Sequence, residues 1–309
     1  MPSLSTWNRV FGYAMDLKER ERLLSEYMSH ERREPQDGFC HVAIDGKVLR
    51  GTIQTGHRGV HLLAIYMPAE GLVLAQTEIG AKANEISAAP GMLAQIELEG
   101  LVITGDAMFT QRHLCLQIVA SRGDYVLEEK ENQPRLLDDI QTLFAPQTPI
   151  PGAGPVPTDF TTATTTDKGH GRIERRVITV SSMLREYSDW PHLAQVCRIE
   201  NHIIHTITGT ETHGVRYGIT SLGVDQITAQ QLLALVRRHW GIESGLHYRR
   251  DVVLGEDRCR VRTGEAPHVH AALNNLIVGL LHRQASSMAQ SLRELTYQIE
   301  RSLALYDLP

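Results

Sequence analysis

Long apolar runs, closely spaced cysteines and a surplus of positive charge are all missing from this chain of 309 residues. The longest strongly apolar stretch, residues 271–281, is broken by Asn274 and Asn275 and falls short of the ~20 residues a spanning helix needs. No membrane partner is therefore expected. The opening MPSLSTWNRVFGY lacks the charged and apolar regions of a secretion signal. Four cysteines, Cys40, Cys115, Cys197 and Cys259, stand far apart with no CxxC. Neither a disulfide framework nor a zinc ribbon is indicated, and a reducing, cytoplasmic setting is expected. Lys plus Arg number 31 against 36 Asp plus Glu, a formal charge of -5. A protein whose whole surface coats nucleic acid is not expected, whereas a local basic groove remains open. HExxH, GxSxG, P-loop and GxGxxG motifs are absent, so serine-hydrolase and nucleotide-binding readings have no support. Fifteen histidines, with pairs such as His202/His205 and His268/His270, raise a zinc enzyme, but no comparable ligand set accompanies them.

What is present is an ordinary globular composition, 42% hydrophobic and 22% charged, long enough for two domains or one domain with an insertion. A charged periodic segment at 17–28 predicts a helical lead-in. Strands are expected at 41–46, 60–67 and 72–79, with Pro-Ala-Glu-Gly turning between the last two. A helix capped by Asn84 follows, then a strand at 101–104, a helix at 110–120, a strand at 124–128 and a helix at 133–144. This order is α/β, a hairpin-built sheet edge leading into parallel crossovers. The Pro-, Gly- and Thr-crowded residues 146–169 read as a loop. Strand-like runs at 173–180, 195–200, 203–207 and 217–221 make 146–227 a β-rich insertion. Helices near 228 and at 267–282 close the pattern. The expected divisions are 1–37, 38–145, 146–227, 228–285 and a helical tail at 286–309.

Two aspartates follow apolar runs: Asp45 after Val-Ala-Ile and Asp106 after Leu-Val-Ile-Thr-Gly. Ligands of open α/β sheets gather outside the carboxyl ends of strands, so both acids are candidates for one crevice. Asp-Gly is equally a favoured turn pair, and an Asp after a strand often caps the next helix. In the helix starting near 228, Leu232, Leu233, Val236 and Trp240 mark a buried stripe, which Glu243 continues at helical spacing. An inward carboxylate needs a partner or a metal. His239, His247 and Arg250 stand on the same side, so a buried ion pair and a metal ligand both fit. Three carboxylates suit hard cations, and two Mg²⁺ ions could serve an in-line phosphoryl displacement.

The strings VAIDGKVLRGT (42–52), KANEISAAP (82–90), LVITGDAMFTQ (101–111), DYVLEEKENQPRL (124–136), HGRIERR (170–176) and RRHWGIESGLHYRRDVVLGEDRCRVR (237–262) occur in one order. Together they resemble the ISAs-type, H-repeat-associated DDE transposases of bacterial insertion sequences, over residues 3–283. The resemblance implies a ribonuclease-H-like mixed sheet with flanking helices, interrupted by a β-rich insertion before the helix of the last acid. It implies Asp45, Asp106 and Glu243 as the catalytic, metal-binding triad for two Mg²⁺ ions, with Mn²⁺ able to substitute. It makes Lys47, Arg50, Lys130, Asn132 and Gln133 candidate phosphate contacts. His239, Trp240, His247 and Arg250 would orient the glutamate or meet the DNA end. His170, Arg172, Arg175 and Arg176 are DNA contacts on the insertion or simply a solvated charged strand.

The implied activity is metal-dependent cleavage at element ends and strand transfer into target DNA, by a dimer or larger synaptic assembly near the bacterial nucleoid. Three positions depart from the family pattern. Glu131 stands where the Lys-Gly-Asn-Gln string has glycine, Tyr248 replaces a more usual Trp, and the PSxxTxxRVF-like segment begins the chain where a longer N-terminal region is usual. These leave an inactive or host-adopted DNA-binding relic as the alternative.

Overall fold

A computed structural model describes residues 3–13, 38–56, 58–146, 157–169, 171–282 and 287–298, with residues 19, 22–23 and 26–27 besides. The elements form two compact units, residues 1–97 with 240–309, and residues 98–239.

In the first unit, β1 (Cys40–Val48), β2 (His61–Met67) and β3 (Leu72–Glu78) pair antiparallel in that order. Residues 40–44 of β1 are buried without alternation, the mark of a strand covered on both faces. The turn from β2 to β3 closes on Gly71, whose φ of +71° suits glycine and whose N–H donates to Met67 O at 2.9 Å. Helix α2 (Glu85–Leu93) starts at the expected cap, where Asn84 and Ser87 exchange side-chain and backbone hydrogen bonds. Helix α6 (Ala266–His282) packs on β3, and α1 (Leu4–Tyr13) packs on α6. The core joins Ala43, Ala64, Tyr66 and Val73 of the strands to Ile242, Leu246, Val278, Leu281 and Met288. Met288 opens α7 (Met288–Tyr297).

In the second unit, β4 (Leu101–Gly105) and β5 (Asp124–Glu129) pair parallel, joined through α3 (Arg112–Ala120). Helix α4 (Pro134–Phe144) follows, begun by a proline whose missing N–H costs nothing at a helix start. Then β6 (Thr161–Gly169), β7 (Arg172–Ser181), β8 (Gln195–His205) and β9 (Glu211–Thr220) form an antiparallel meander that rejoins β5 through β9. Helix α5 (Ala229–His239) packs on β6 and β7. Mixed strand pairing with flanking helices and extra strands is a ribonuclease-H-like fold carrying an insertion.

Several local expectations need correction. Residues 161–169 form a strand where a loop was read: TTATTTDKG is polar, but its β-branched threonines favour extended backbone and its exposure fits a sheet edge. The runs at 195–200 and 203–207 are one strand, because Asn201 and His202 lie in a pairing that needs no apolar alternation. The lead-in helix read at 17–28 and the loop at 147–156 fall largely outside the described residues.

Candidate metal centre

Asp45 does not end a strand or form a turn. It lies within β1 opposite Ala64, and Gly46 pairs with Leu63. Glycine at 46 leaves room for the Glu85 carboxylate, which a Cβ there would push aside. The Glu85 carboxylate thus rests on the backbone beside Asp45, with His61 Nε2 2.9 Å from its Oε1. Burial, helped by the Arg58 charge and opposed by Asp45, pushes the His61 imidazole below its usual range. Neither His61 nor Glu85 was among the sequence candidates, although Glu85 lies in KANEISAAP and its place beside Asp45 needs the fold.

Glu243 reaches Asp45 by a route helical spacing misses. Helix α5 ends at His239, and the chain turns at Trp240. A π-helical turn then spans Glu243–His247, closed by the Tyr248 N–H donating to Glu243 O, and a second spans Arg249–Val253. The wider i→i+5 turn shifts the buried face to Ile242, Leu246, His247 and Arg250. Glu243 and Trp240 are exposed, so the stripe drawn from Leu232 to Glu243 does not continue past α5.

Donor atoms of Asp45, Glu243 and His247 all lie within 4.8 Å of one another. The buried His247 holds Asp45, with Nε2 3.2 Å from Oδ2. Its other ring nitrogen is buried without a hydrogen-bond partner. Two carboxylates and an imidazole, one wall buried and one carboxylate open to solvent, are a donor set that a divalent cation fits.

Asp106 belongs to the second unit. It stands immediately after β4 and caps a short 3₁₀ turn, its Oδ1 accepting the Met108 N–H at 3.0 Å. Asn132 and Gln133 brace the same segment: Asn132 Nδ2 donates to Ala107 O at 2.6 Å and Gln133 Nε2 to Thr110 O at 3.0 Å. Behind it, His239 Nδ1 lies 3.0 Å from Thr104 Oγ1 on β4.

Other candidates fall into occupied and open groups. Lys47 is buried with Nζ 2.5 Å from Asp251 Oδ1. Arg250 has no exposed surface; Nε donates to both Glu256 oxygens at 3.1 and 2.9 Å, and Nη1 to Gln76 Oε1 and Asn275 Oδ1. It is a structural residue, consistent with the buried ion-pair reading of the sequence but with Glu256, not Glu243, as partner. Arg176 is held by Asp167 and Glu174. Arg50, Lys130, Arg172 and Arg175 are exposed, the first three beside Asp257, Glu128 and Glu174. Trp240 and Tyr248 are exposed as well. His170 lies outside the described residues.

The fold is ribonuclease-H-like, and it carries a carboxylate and imidazole set able in principle to hold a divalent ion. Residues 36–280 match the model of the transposase DDE domain, and the chain belongs to that family. It is 31% identical over 268 residues to the putative transposase YncI of Escherichia coli O157:H7, covering 84% of this chain and 66% of that protein. It is 30% identical over 248 residues to the H repeat-associated putative transposase YhhI of Escherichia coli K12, covering 78% of this chain and 63% of that one. The chain thus spans just under two thirds of these relatives' length. A cryo-EM structure of the piggyBac transposase synaptic complex with hairpin DNA is a distant likeness, with 10% identity, a TM-score of 0.44 and coverage of 83% of this chain and 51% of that one. Among the described residues no helix is long and apolar enough to cross a membrane.

Proposed function

We propose that the chain carries the catalytic domain of a Mg²⁺-dependent DDE transposase, which cuts DNA at the ends of an insertion sequence and transfers the freed strand into target DNA. The observation that carries this reading is the meeting of Asp45, Glu243 and His247, from distant parts of the sequence, within 4.8 Å on a domain of the DDE family. Asp45 and Glu243 hold the cation, and the family resemblance adds Asp106 as the third carboxylate. When bound, Mg²⁺ (or Mn²⁺) activates the attacking oxygen and stabilises the leaving one in phosphoryl displacement. His247 fixes the Asp45 carboxylate by hydrogen bonding, and such support typically governs metal affinity. Asn132 and Gln133 hold the segment after Asp106. Arg50 and Lys130 remain exposed for DNA phosphates, with Arg172 and Arg175 on the insertion, while Trp240 and Tyr248 offer exposed rings beside Glu243. Joining two element ends calls for at least two protomers in a synaptic complex.

The test is cleavage and strand transfer on DNA bearing the element's own ends, with Mg²⁺ or Mn²⁺, beside Glu243→Gln. Metal-dependent activity lost in the variant supports the assignment. Activity unchanged in Glu243→Gln refutes it, and a wild-type chain that binds DNA without cutting it points to a relic.

A further inference from the structure

The β8–β9 hairpin carries a cluster for which the DNA reaction has no use. His202 and His213 are direct cross-strand partners, and Glu211 stands two residues before His213. Strand alternation puts all three side chains on one face. The two imidazoles stack nearly parallel, with centroids 4.2 Å apart and an 11° interplanar angle. Both turn Nε2 toward one oxygen, Glu211 Oε2, at 2.7 Å from His202 and 3.8 Å from His213. One donor atom of each residue lies within 4.8 Å of the others, and all three side chains are reachable from solvent.

We propose that His202, Glu211 and His213 form a second metal site, for a divalent transition ion of the zinc class. Two imidazole nitrogens and a carboxylate oxygen are the donors of open zinc sites, which leave a fourth position for water. Ligand atoms on a tetrahedral ion with bonds of about 2.0–2.1 Å stand about 3.3 Å apart. The separations of 2.7 and 3.8 Å straddle that value, and the two rings must open from their parallel stack for both Nε2 lone pairs to converge on one ion. Mg²⁺ prefers oxygen donors and keeps its water, so it competes poorly here. The charge on Arg175, opposite His202 on β7, opposes a bound cation and weakens the site. A bound ion would clamp β8 to β9 at an end where few apolar side chains are buried. The ligands come from two strands, so no sequence spacing announces them; the His202/His205 pair noted in the sequence is not the relevant one.

The test is a zinc titration of the full, tag-free chain in millimolar Mg²⁺, followed by calorimetry and by the zinc-dependent shift in melting temperature. Parent protein, His213→Ala, His202→Gln and Glu243→Gln are compared. One zinc per chain is expected in the parent and in Glu243→Gln, with affinity reduced at least about tenfold in both histidine variants and their melting-temperature shift lost. His213 is exposed, so metal-free His213→Ala should keep the parent's circular dichroism. Absence of zinc binding, equal affinity in the histidine variants, or loss of the zinc in Glu243→Gln would overturn the proposal.

Discussion

Removing Arg250 should unfold the domain before it affects any contact with DNA. The guanidinium has no exposed surface and makes four hydrogen bonds, two to Glu256, one to Gln76 and one to Asn275. Asn274 Nδ2 also donates to Glu256, and Asn275 Nδ2 to Gln76, so the five side chains form one buried polar network. Truncating Arg250→Ala leaves the Glu256 carboxylate, 5% exposed, without its cation. Breaking a buried ion pair in this way costs about 3–5 kcal/mol, a large share of the ~5–15 kcal/mol that keeps a domain folded. Replacing both charges, as in Arg250→Met with Glu256→Leu, should recover part of that loss because no charge is then stranded. Equilibrium urea unfolding of both single variants, the double variant and the parent gives the coupling energy. A single variant within about 1 kcal/mol of the parent, with DNA binding abolished, would refute the structural role and return Arg250 to the DNA interface.

Other outcomes follow from the same geometry. Glu129 is buried, and burial pushes its pKa up to about 8 against the lowering effect of the Lys130 backbone N–H. Between the ordinary carboxylate value and about 8, the unfolded state gives up a proton that the folded state keeps, so this group's contribution to stability falls as pH rises through that window and then levels off. Glu129→Gln should flatten the profile and melt several degrees above the parent at pH about 9; parallel pH–stability curves would contradict this. Gly46→Ala must displace the flexible Glu85 carboxylate, whereas Gly51→Ala drives a Cβ to 1.8 Å from the Cys259 carbonyl oxygen. The second should therefore lower the melting temperature further, with about 1–3 kcal/mol expected for the first. His247→Ala should weaken Mn²⁺ binding about 10–100-fold by releasing Asp45, read by titration, and an unchanged affinity would remove His247 from the centre. Asn132→Ala should lower the cleavage rate while leaving DNA affinity intact; an equal loss of both would make Asn132 a phosphate contact.

Much of the fold was legible because hydrophobic runs and turn residues agree with it. The β1–β3 hairpins, the Asn84 cap and the crossover through α3 fall where pattern and capping place them. The threonine-rich β6 escaped because an exposed edge strand buries little, so its propensity is not matched by an apolar period. At the candidate centre, the sequence offers Asp45, Glu243 and His247 as candidates but not their environments. Asp45-Gly46 has turn chemistry but lies inside β1, where both residues pair with β2 opposite Ala64 and Leu63. Helical spacing placed Glu243 inward, yet the break at Trp240 and the π-helical turn bring it to an exposed position near Asp45. Lys47 reads as a phosphate contact beside Asp45 and Arg250 as a residue that orients the glutamate or meets the DNA end, and only tertiary structure supplies Asp251 and Glu256 as their partners.

The most direct measurement of the metal assignment is anomalous scattering from Mn²⁺ in crystals of the protein with its terminal DNA. The expected result is a Mn²⁺ peak bridged by Asp45 and Glu243, absent in Glu243→Gln. Manganese bound elsewhere on the chain, with none at Asp45 and Glu243, would contradict it.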